Sequence, residues 1–365
     1  MERRIAADAR GGRVRGDTPG WCEAGSRLAY DRAMRVVVTG ATGHVGANFV
    51  RTLVARGDQV KVVVRTRTTA LDGVECERVV GDVRDAASLR GAFTGADVVV
   101  HLAAVISITG DPSGEVRAVN VLGAKNAAEA ALAAGVRRMV HCSSVHAFDL
   151  YRRDKDGPID ETWPRVPDYP PHFAYDRSKA AGERAVREVA ERGLELVVLH
   201  PSGVIGPFDF GPSRMGRVLL QLQRRTLPSL VEGAFDFVDV RDVADALAAA
   251  CERGTPGESY LITGNHVKIA ELAAAAQAIT GVRPPRIQTP IWVARLGVPF
   301  FAAVGKVQRA EPLYTHESLT VLQSKHKFAW TKAQRDLGYT PRPLVDTLRD
   351  TYAWFESAGL LRPAA

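Results

Sequence analysis

The segment Val38-Thr39-Gly40-Ala41-Thr42-Gly43-His44-Val45-Gly46 constrains this chain more than any other. It follows a β-branched run, Arg35–Thr39, suited to a buried parallel strand, and leads into a helical stretch, His44–Arg56, closed by Gly57. Each glycine has its own task. Gly40 permits the tight turn out of the strand, Gly43 lets a pyrophosphate approach the backbone, and Gly46 lets helix and strand pack closely. The helix start then offers free N–H groups and the positive end of its dipole to an anion. The spacing is TGxxGxxG rather than GxGxxG, and its force comes from the strand–helix setting. Gly40, Thr42, Gly43, His44, Val45 and Gly46 are therefore candidate dinucleotide contacts.

The alternation continues. Val60–Arg65, Arg78–Val80, Asp97–Leu102 and Arg138–Cys142 read as strands, and Asp85–Phe93 and Ser113–Ala134 as helices. This predicts an α/β fold: a Rossmann-type doubly wound parallel sheet with right-handed crossovers, binding ligands beyond the carboxyl ends of its strands. Asp149–Pro171 is a polar, proline-rich loop. Tyr175–Arg192 reads as a helix and Leu194–His200 as a strand. After Pro201 the pattern breaks into shorter pieces: helices over Ser213–Arg225, Val240–Glu252 and Lys268–Ile279, strands over Phe235–Asp239 and Ser259–Ile262. We expect a dinucleotide-binding core over 34–207 and a smaller mixed substrate lobe over 208–365, with returns of the chain to the core. Residues 1–33, rich in Arg and Gly and without periodicity, are expected to be a disordered extension ahead of Met34.

The end of the second strand reports on the cofactor ribose. An acid there would hold the 2′-hydroxyl of NAD, but this chain has Arg65, Thr66 and Arg67. Arg suits a 2′-phosphate, so the expected cofactor is NADP, with NAD as the alternative. Tyr175 and Lys179 stand four residues apart, on one helix face. An ammonium beside a phenol favours the phenolate and draws its pKa down toward working pH. Tyr175 is thus a candidate proton donor to a carbonyl oxygen, and Ser143-Ser144, just past the fifth strand, offers a second hydroxyl to orient that oxygen.

Net charge is +7, but the Lys and Arg are scattered and no basic-aromatic module appears, which argues against nucleic acid. Cys22, Cys76, Cys142 and Cys251 lie far apart, with no metal-ligand spacing, and read as reduced thiols of a cytoplasmic protein that holds no metal. No apolar run is long enough to span a membrane. Pro290–Val304 is apolar but short, and reads as a buried amphipathic helix, a pocket wall or a surface lying on a membrane. Helices flanking the sheet leave a homodimer open.

Together these motifs resemble the extended short-chain dehydrogenase/reductase family, also called the epimerase/dehydratase family, over about Arg35 to Leu360. Gly81-Asp82-Val83 matches its adenine-binding segment, and His101-Leu102-Ala103-Ala104 its fourth-strand motif. Asn120 matches its helix asparagine, which positions the lysine. Cys142-Ser143-Ser144 matches its serine segment, and His200–Pro207 the stretch flanking the nicotinamide. Phe237–Val243 matches a late motif. The resemblance implies Ser144, Tyr175 and Lys179 as the catalytic triad, assisted by Asn120. It implies Arg65, Asp82, Val83, Leu102, Ala103, Ala104, Tyr175, Lys179, Pro201, Ser202 and Val204 among the cofactor contacts. His101 is expected to be a structural strand-end residue.

Nucleotide-sugar dehydratases of this family carry Asp-Glu after the catalytic hydroxyl. Here Ser144 is followed by Val145-His146, without such a pair. Sugar-nucleotide epimerases often carry Asn after the sixth strand, where this chain has Pro201-Ser202-Gly203. The stretch Val60–Arg65 and the Pro201–Pro207 segment are similar to the dihydroflavonol-reductase-like branch, with the 3β-hydroxysteroid dehydrogenases as cousins. The expected function is NADP(H)-dependent reduction of a ketone or aldehyde on a hydrophobic or aromatic small molecule. NAD-dependent nucleotide-sugar epimerisation is the alternative, and a non-catalytic dinucleotide sensor a minor one.

Overall fold

Short β-branched segments separated by helices leave one geometry that buries both faces of every strand, a parallel sheet between helical layers. The computed structural model describes residues 33–66, 68–151, 157–170, 172–308, 314–323 and 326–361, with backbone only over 300–308. Its large sheet has seven parallel strands: β1 (Arg35–Thr39), β2 (Gln59–Val64), β3 (Glu77–Val80), β4 (Val98–His101), β5 (Arg138–Cys142), β6 (Glu195–Pro201) and β10 (Ser259–Ile262). Their spatial order is β10-β6-β5-β4-β1-β2-β3. The order reverses between β1 and β4, which places the binding crevice of such a sheet beyond Thr39 and His101, partners in register.

Alternation along each strand fills two cores. Val36, Val38, Val62 and Val100 lie in one, with residues of α1 (His44–Ala55), α7 (Val240–Arg253) and α11 (Thr331–Leu337). Val37, Val63, Val99 and Met139 lie in the other, with residues of α2 (Ala86–Phe93), α4 (Ala124–Ala133) and α5 (Ala174–Ala190). Asp85 caps α2 by accepting from the Ala87 N–H, and Asp239 caps α7 through Arg241 N–H.

The smaller lobe holds a three-stranded sheet of β7 (Gly203–Ile205), β9 (Ala234–Asp239) and β11 (Asn265–Lys268), and a two-stranded one of β8 (Leu230–Val231) and β12 (Gln288–Thr289). Its core joins α6 (Arg214–Gln223), α8 (Ile269–Thr280) and α12 (Leu344–Ser357). The doubly wound sheet with a smaller C-terminal lobe is thus the architecture expected.

The details differ in places. The helix expected over Ser113–Ala134 is one α turn, α3 (Glu115–Arg117), then a π-helical segment over Ala118–Gly123, then α4. The apolar stretch after Pro290 forms α9 (Ile291–Gln308), with Pro299 inside it, followed by α10 (His316–Val321). No helix among the described residues is long and apolar enough to cross a membrane. The extension up to residue 32, Cys22 within it, and Arg67 lie outside the described residues; Cys76, Cys142 and Cys251 are free thiols.

Candidate active site

The glycine loop shows which of its glycines the fold itself requires. Gly40 has φ +72°, and a Cβ there would lie 2.5 Å from the Ala103 backbone nitrogen. Gly46 packs so close that a Cβ would collide with the Gly40 carbonyl oxygen. Gly43 is different, because a Cβ there would meet nothing nearer than 3.5 Å. Gly43 is also the N-cap of α1, with no side-chain cap and no acid in the first turn. The helix start therefore keeps unsatisfied N–H groups beside an open space, which fits a dinucleotide pyrophosphate. Thr42 is exposed at this rim and Val45 half-buried. The His44 imidazole is committed elsewhere, 3.2 Å and 3.0 Å from the carbonyls of Gly206 and Pro207, and Asn48 also donates to Pro207.

At the ends of β2 and β3, Arg65 is exposed and Asp82 half-buried. The Arg84 guanidinium donates to the Asp82 carboxylate at 2.6 Å, and this bond, with a smaller contribution from Arg65, holds the Asp82 carboxyl down at about 2. Val83 is buried beneath Gly123, whose Cβ would press 2.7 Å from it. Leu102, Ala103 and Ala104 form the exit of β4, with Leu102 N–H donating to Thr39 O at 3.1 Å.

Ser144 follows β5, and Tyr175 and Lys179 lie on α5; all three are buried. Burial pushes the Tyr175 phenol well above its usual range, and the hydrogen bond with the Ser144 hydroxyl opposes that. This differs from the expected lowering by Lys179, whose ammonium donates at 3.0 Å to the Cys142 carbonyl and is itself pulled down by burial. The phenol is therefore held in its protonated form, as a donor. Asn120 sits in the π-helical segment. Its amide brackets Val105, accepting from the N–H at 2.7 Å and donating to the C=O at 2.9 Å, and donates to Ser178 Oγ at 2.9 Å. Ser178 Oγ in turn donates to the Tyr175 carbonyl at 2.7 Å. Asn120 thus ties the β4 exit to the turn of α5 that carries Tyr175 and Lys179, by way of Ser178.

This tie needs close approach. A Cβ on Gly182 would run into the Asn120 carbonyl oxygen. Gly182→Ala is expected to push α5 off the π-helical segment, costing about 1–3 kcal/mol in urea unfolding and lowering kcat in the same variant.

His101 bonds Thr39 Oγ1 through Nδ1 at 2.8 Å and stacks on His141 at 5.5 Å, wholly buried. Burial, with Lys179 second, lowers His101 to about 3, so it is a neutral strand-end residue. Pro201 and Ser202 are buried and Val204 half-buried, and Ser202 Oγ donates to Asp236 at 2.5 Å.

Sequence reasoning missed two clusters. Glu183, one turn beyond Lys179, accepts from His200 at 2.7 Å and pairs with Arg165 and Arg187, anchoring α5. The second surrounds His146. Its Nδ1 lies 2.9 Å from Asp176 Oδ1, and the Tyr151 hydroxyl donates to Asp176 Oδ2 at 2.9 Å. Spacing gave no sign of this pair, because it joins residues thirty apart through tertiary contact. Tyr151 and Phe173 then line a cavity of about 1690 Å³, with Val231 and Ile291 among its apolar walls and Lys268 and Arg295 among its cations. Ser144, Tyr175 and Lys179 are not themselves in those walls. Among the described residues no cluster of His, Cys, Asp and Glu suits a metal.

Comparison with known proteins identifies a family and relatives along most of the chain. The model of the NAD dependent epimerase/dehydratase family matches residues 36–263. The chain is similar to sterol demethylase protein B of Methylococcus capsulatus, 36% identical over 90% of this chain and 100% of that protein. It is similar to a putative dihydroflavonol 4-reductase of Synechocystis, 30% identical over 89% of this chain and 95% of that one. Among solved structures it resembles a nucleoside-diphosphate-sugar epimerase from Pseudomonas aeruginosa, with TM-score 0.72 and 26% identity over 91% of this chain and all of the other.

Proposed function

The chain belongs to the NAD dependent epimerase/dehydratase family, and from that premise we propose that it is an NADP(H)-dependent oxidoreductase reducing a ketone or aldehyde on an apolar or aromatic small molecule. The observation that carries this reading is the buried pair of Ser144 and Tyr175 hydroxyls, held at the carboxyl edge of the sheet with Lys179 on the same helix face. When bound, the nicotinamide supplies or accepts the hydride. The chain supplies everything else. The bare start of α1 and Gly43 cradle the pyrophosphate, and Ser144 donates to the substrate oxygen and orients it. Tyr175 passes its proton to that oxygen as the carbon is reduced, and Asn120 holds the helix turn in place through Ser178. The relatives named for a sterol demethylase and a dihydroflavonol reductase support a reductase branch with a ring-shaped apolar substrate.

A second reading is that the same proton and hydride steps run forward and back on a nucleotide sugar, inverting a carbinol centre. The family description and the solved epimerase with 26% identity support it, as do Lys268 and Arg295 in the cavity, which suit a diphosphate. One experiment separates the two. The purified protein is given NADPH and 5α-cholestan-3-one or a dihydroflavonol while cofactor absorbance is followed, and separately UDP-glucose with bound NAD. Net NADPH consumption supports the reductase. Inversion of the sugar without net cofactor turnover sinks it and establishes the epimerase.

Arg65 decides the cofactor in this reading. It is exposed next to Asp82 with no acid at the end of β2. Arg65→Ala is expected to raise the KM for NADPH about tenfold or more while changing that for NADH little, as loss of a charge-assisted phosphate contact requires. Equal effects on the two cofactors would remove the 2′-phosphate role.

A further inference from the structure

The helix α9 stands at the wall of the large cavity, and the fold accounts for only one of its sides. Ala294 and Val298 are buried with Val231 and Leu319, and Ile291 and Arg295 line the cavity. Arg295 also donates to Gln323 Oε1 at 2.7 Å, which ties α9 to the turn after α10. At 3.6 residues per turn, Trp292, Val293 and Leu296 fall on the opposite side. All are exposed, Trp292 at 67% and Leu296 at 74%. Ile287, on the segment leading into the helix, is exposed as well. One exposed apolar side chain is ordinary, but Trp, Leu, Val and Ile gathered on one helix and its approach mark a contact surface. The charge around them is one-sided. Between Glu271 and Glu311 the sequence has no Asp or Glu, but it carries Arg283, Arg286, Arg295, Lys306 and Arg309. Arg283 and Arg286 are exposed just before Ile287. Glu232 is the acid that the β8–β12 pairing brings alongside, its N–H donating to the Thr289 carbonyl at 3.0 Å. An indole ring with a polar N–H suits a membrane–water boundary, and arginines beside an apolar helix face complement anionic headgroups.

We propose that the outer face of α9 docks on the surface of a bilayer that contains anionic phospholipid. Trp292, Val293 and Leu296 enter the headgroup boundary, and Arg283 and Arg286 meet the lipid phosphates. No helix among the described residues is long and apolar enough to cross a membrane, so α9 lies along the surface. A second copy of this chain fits the same face less well. A two-fold contact sets one patch against itself, so Arg283 and Arg286 of each copy would meet their counterparts, with no acid in the segment to pair them. A bilayer satisfies both the apolar side chains and the excess of arginine. The docking goes beyond the carbonyl chemistry proposed above and stands whether the site runs a reduction or an epimerisation.

The test is flotation of the whole protein with vesicles of phosphatidylcholine alone or mixed with phosphatidylglycerol. Wild type is expected to float with the mixed vesicles, and less as salt is added. Trp292→Ser combined with Leu296→Ser should weaken that binding about 30-fold or more, as loss of two apolar side chains from a buried face requires. Arg283→Gln combined with Arg286→Gln should weaken it roughly tenfold. Urea unfolding and dinucleotide binding of both double variants should match wild type, because the four side chains are exposed. Brominated lipid gives a second readout. It should quench tryptophan fluorescence in wild type, and Trp292→Phe should remove that quenching while the protein still floats. Wild type that stays free of phosphatidylglycerol vesicles at low ionic strength overturns the proposal. So does equal binding to phosphatidylcholine alone, or binding that the Trp292 and Leu296 substitutions leave unchanged. Sedimentation of the same proteins tests the other occupant: a wild-type dimer that those substitutions dissociate, without vesicle binding, assigns the face to a second copy and overturns the bilayer. No turnover is read, so failure of the reductase assay is a separate result.

Discussion

Tyr175→Phe should lower kcat/KM for ketone reduction by about 10³-fold, within the range general acid catalysis supplies, while the protein melts and binds dinucleotide as wild type does. The substitution removes one hydroxyl from a side chain that is 8% exposed and keeps the ring that His146 meets edge-on. The Ser144 hydroxyl remains, so the substrate oxygen is still oriented but has no proton to take. The sign of the pH dependence follows from the same environment. Burial lifts the phenol above its usual value, so the protonated donor is present throughout about pH 6 to 9. Reduction should stay flat with respect to this group over that window, and the reverse oxidation, which needs the phenolate, should rise with pH. A Tyr175→Phe enzyme within a few-fold of wild type would remove the donor role, and a reduction rate that falls through pH 8 would contradict the raised phenol.

The parts of the molecule that were legible in the sequence are those set by local pattern. The five strands of the first half and the glycine loop follow from β-branched runs and turn chemistry, and they carry the sheet and its crevice. Tyr175 and Lys179 were legible because four residues on a helix fix a shared face. What was not legible depends on contacts between distant segments. The π-helical turn at Ala118–Gly123 arises where α5 lies against it at Gly182, and no 3.6-residue periodicity announces it. The raised Tyr175 phenol reflects burial, which spacing does not report, so reasoning from Lys179 alone gave the opposite direction. His146 and Asp176 meet only because β5 and α5 converge. The strands β7, β8 and β12 are two or three residues each, too brief for alternation to show.

The glycine loop yields the other large effect, and it separates folding from binding within seven residues. Gly46→Ala should cost about 3 kcal/mol or more of stability, the upper part of the range for an atom forced into a packed site. Its methyl collides with the Gly40 carbonyl and crowds Ala41 Cα at 2.6 Å, both backbone, so no side chain can rotate away. Gly43→Ala should leave stability within about 0.5 kcal/mol of wild type, as substitutions free of steric conflict do, because its methyl meets only ordinary contact at 3.5 Å. That methyl nevertheless occupies the space above the bare N-terminus of α1, where the proposed reading puts the pyrophosphate. Dinucleotide Kd should rise roughly 30-fold, equivalent to about 2 kcal/mol. Urea unfolding and cofactor titration of both variants measure the two quantities separately. If Gly43→Ala binds dinucleotide as tightly as wild type, the phosphates do not lie where the open space beside Gly43 puts them. If it instead unfolds like Gly46→Ala, the distinction between a glycine required by packing and one required by a ligand fails at this loop.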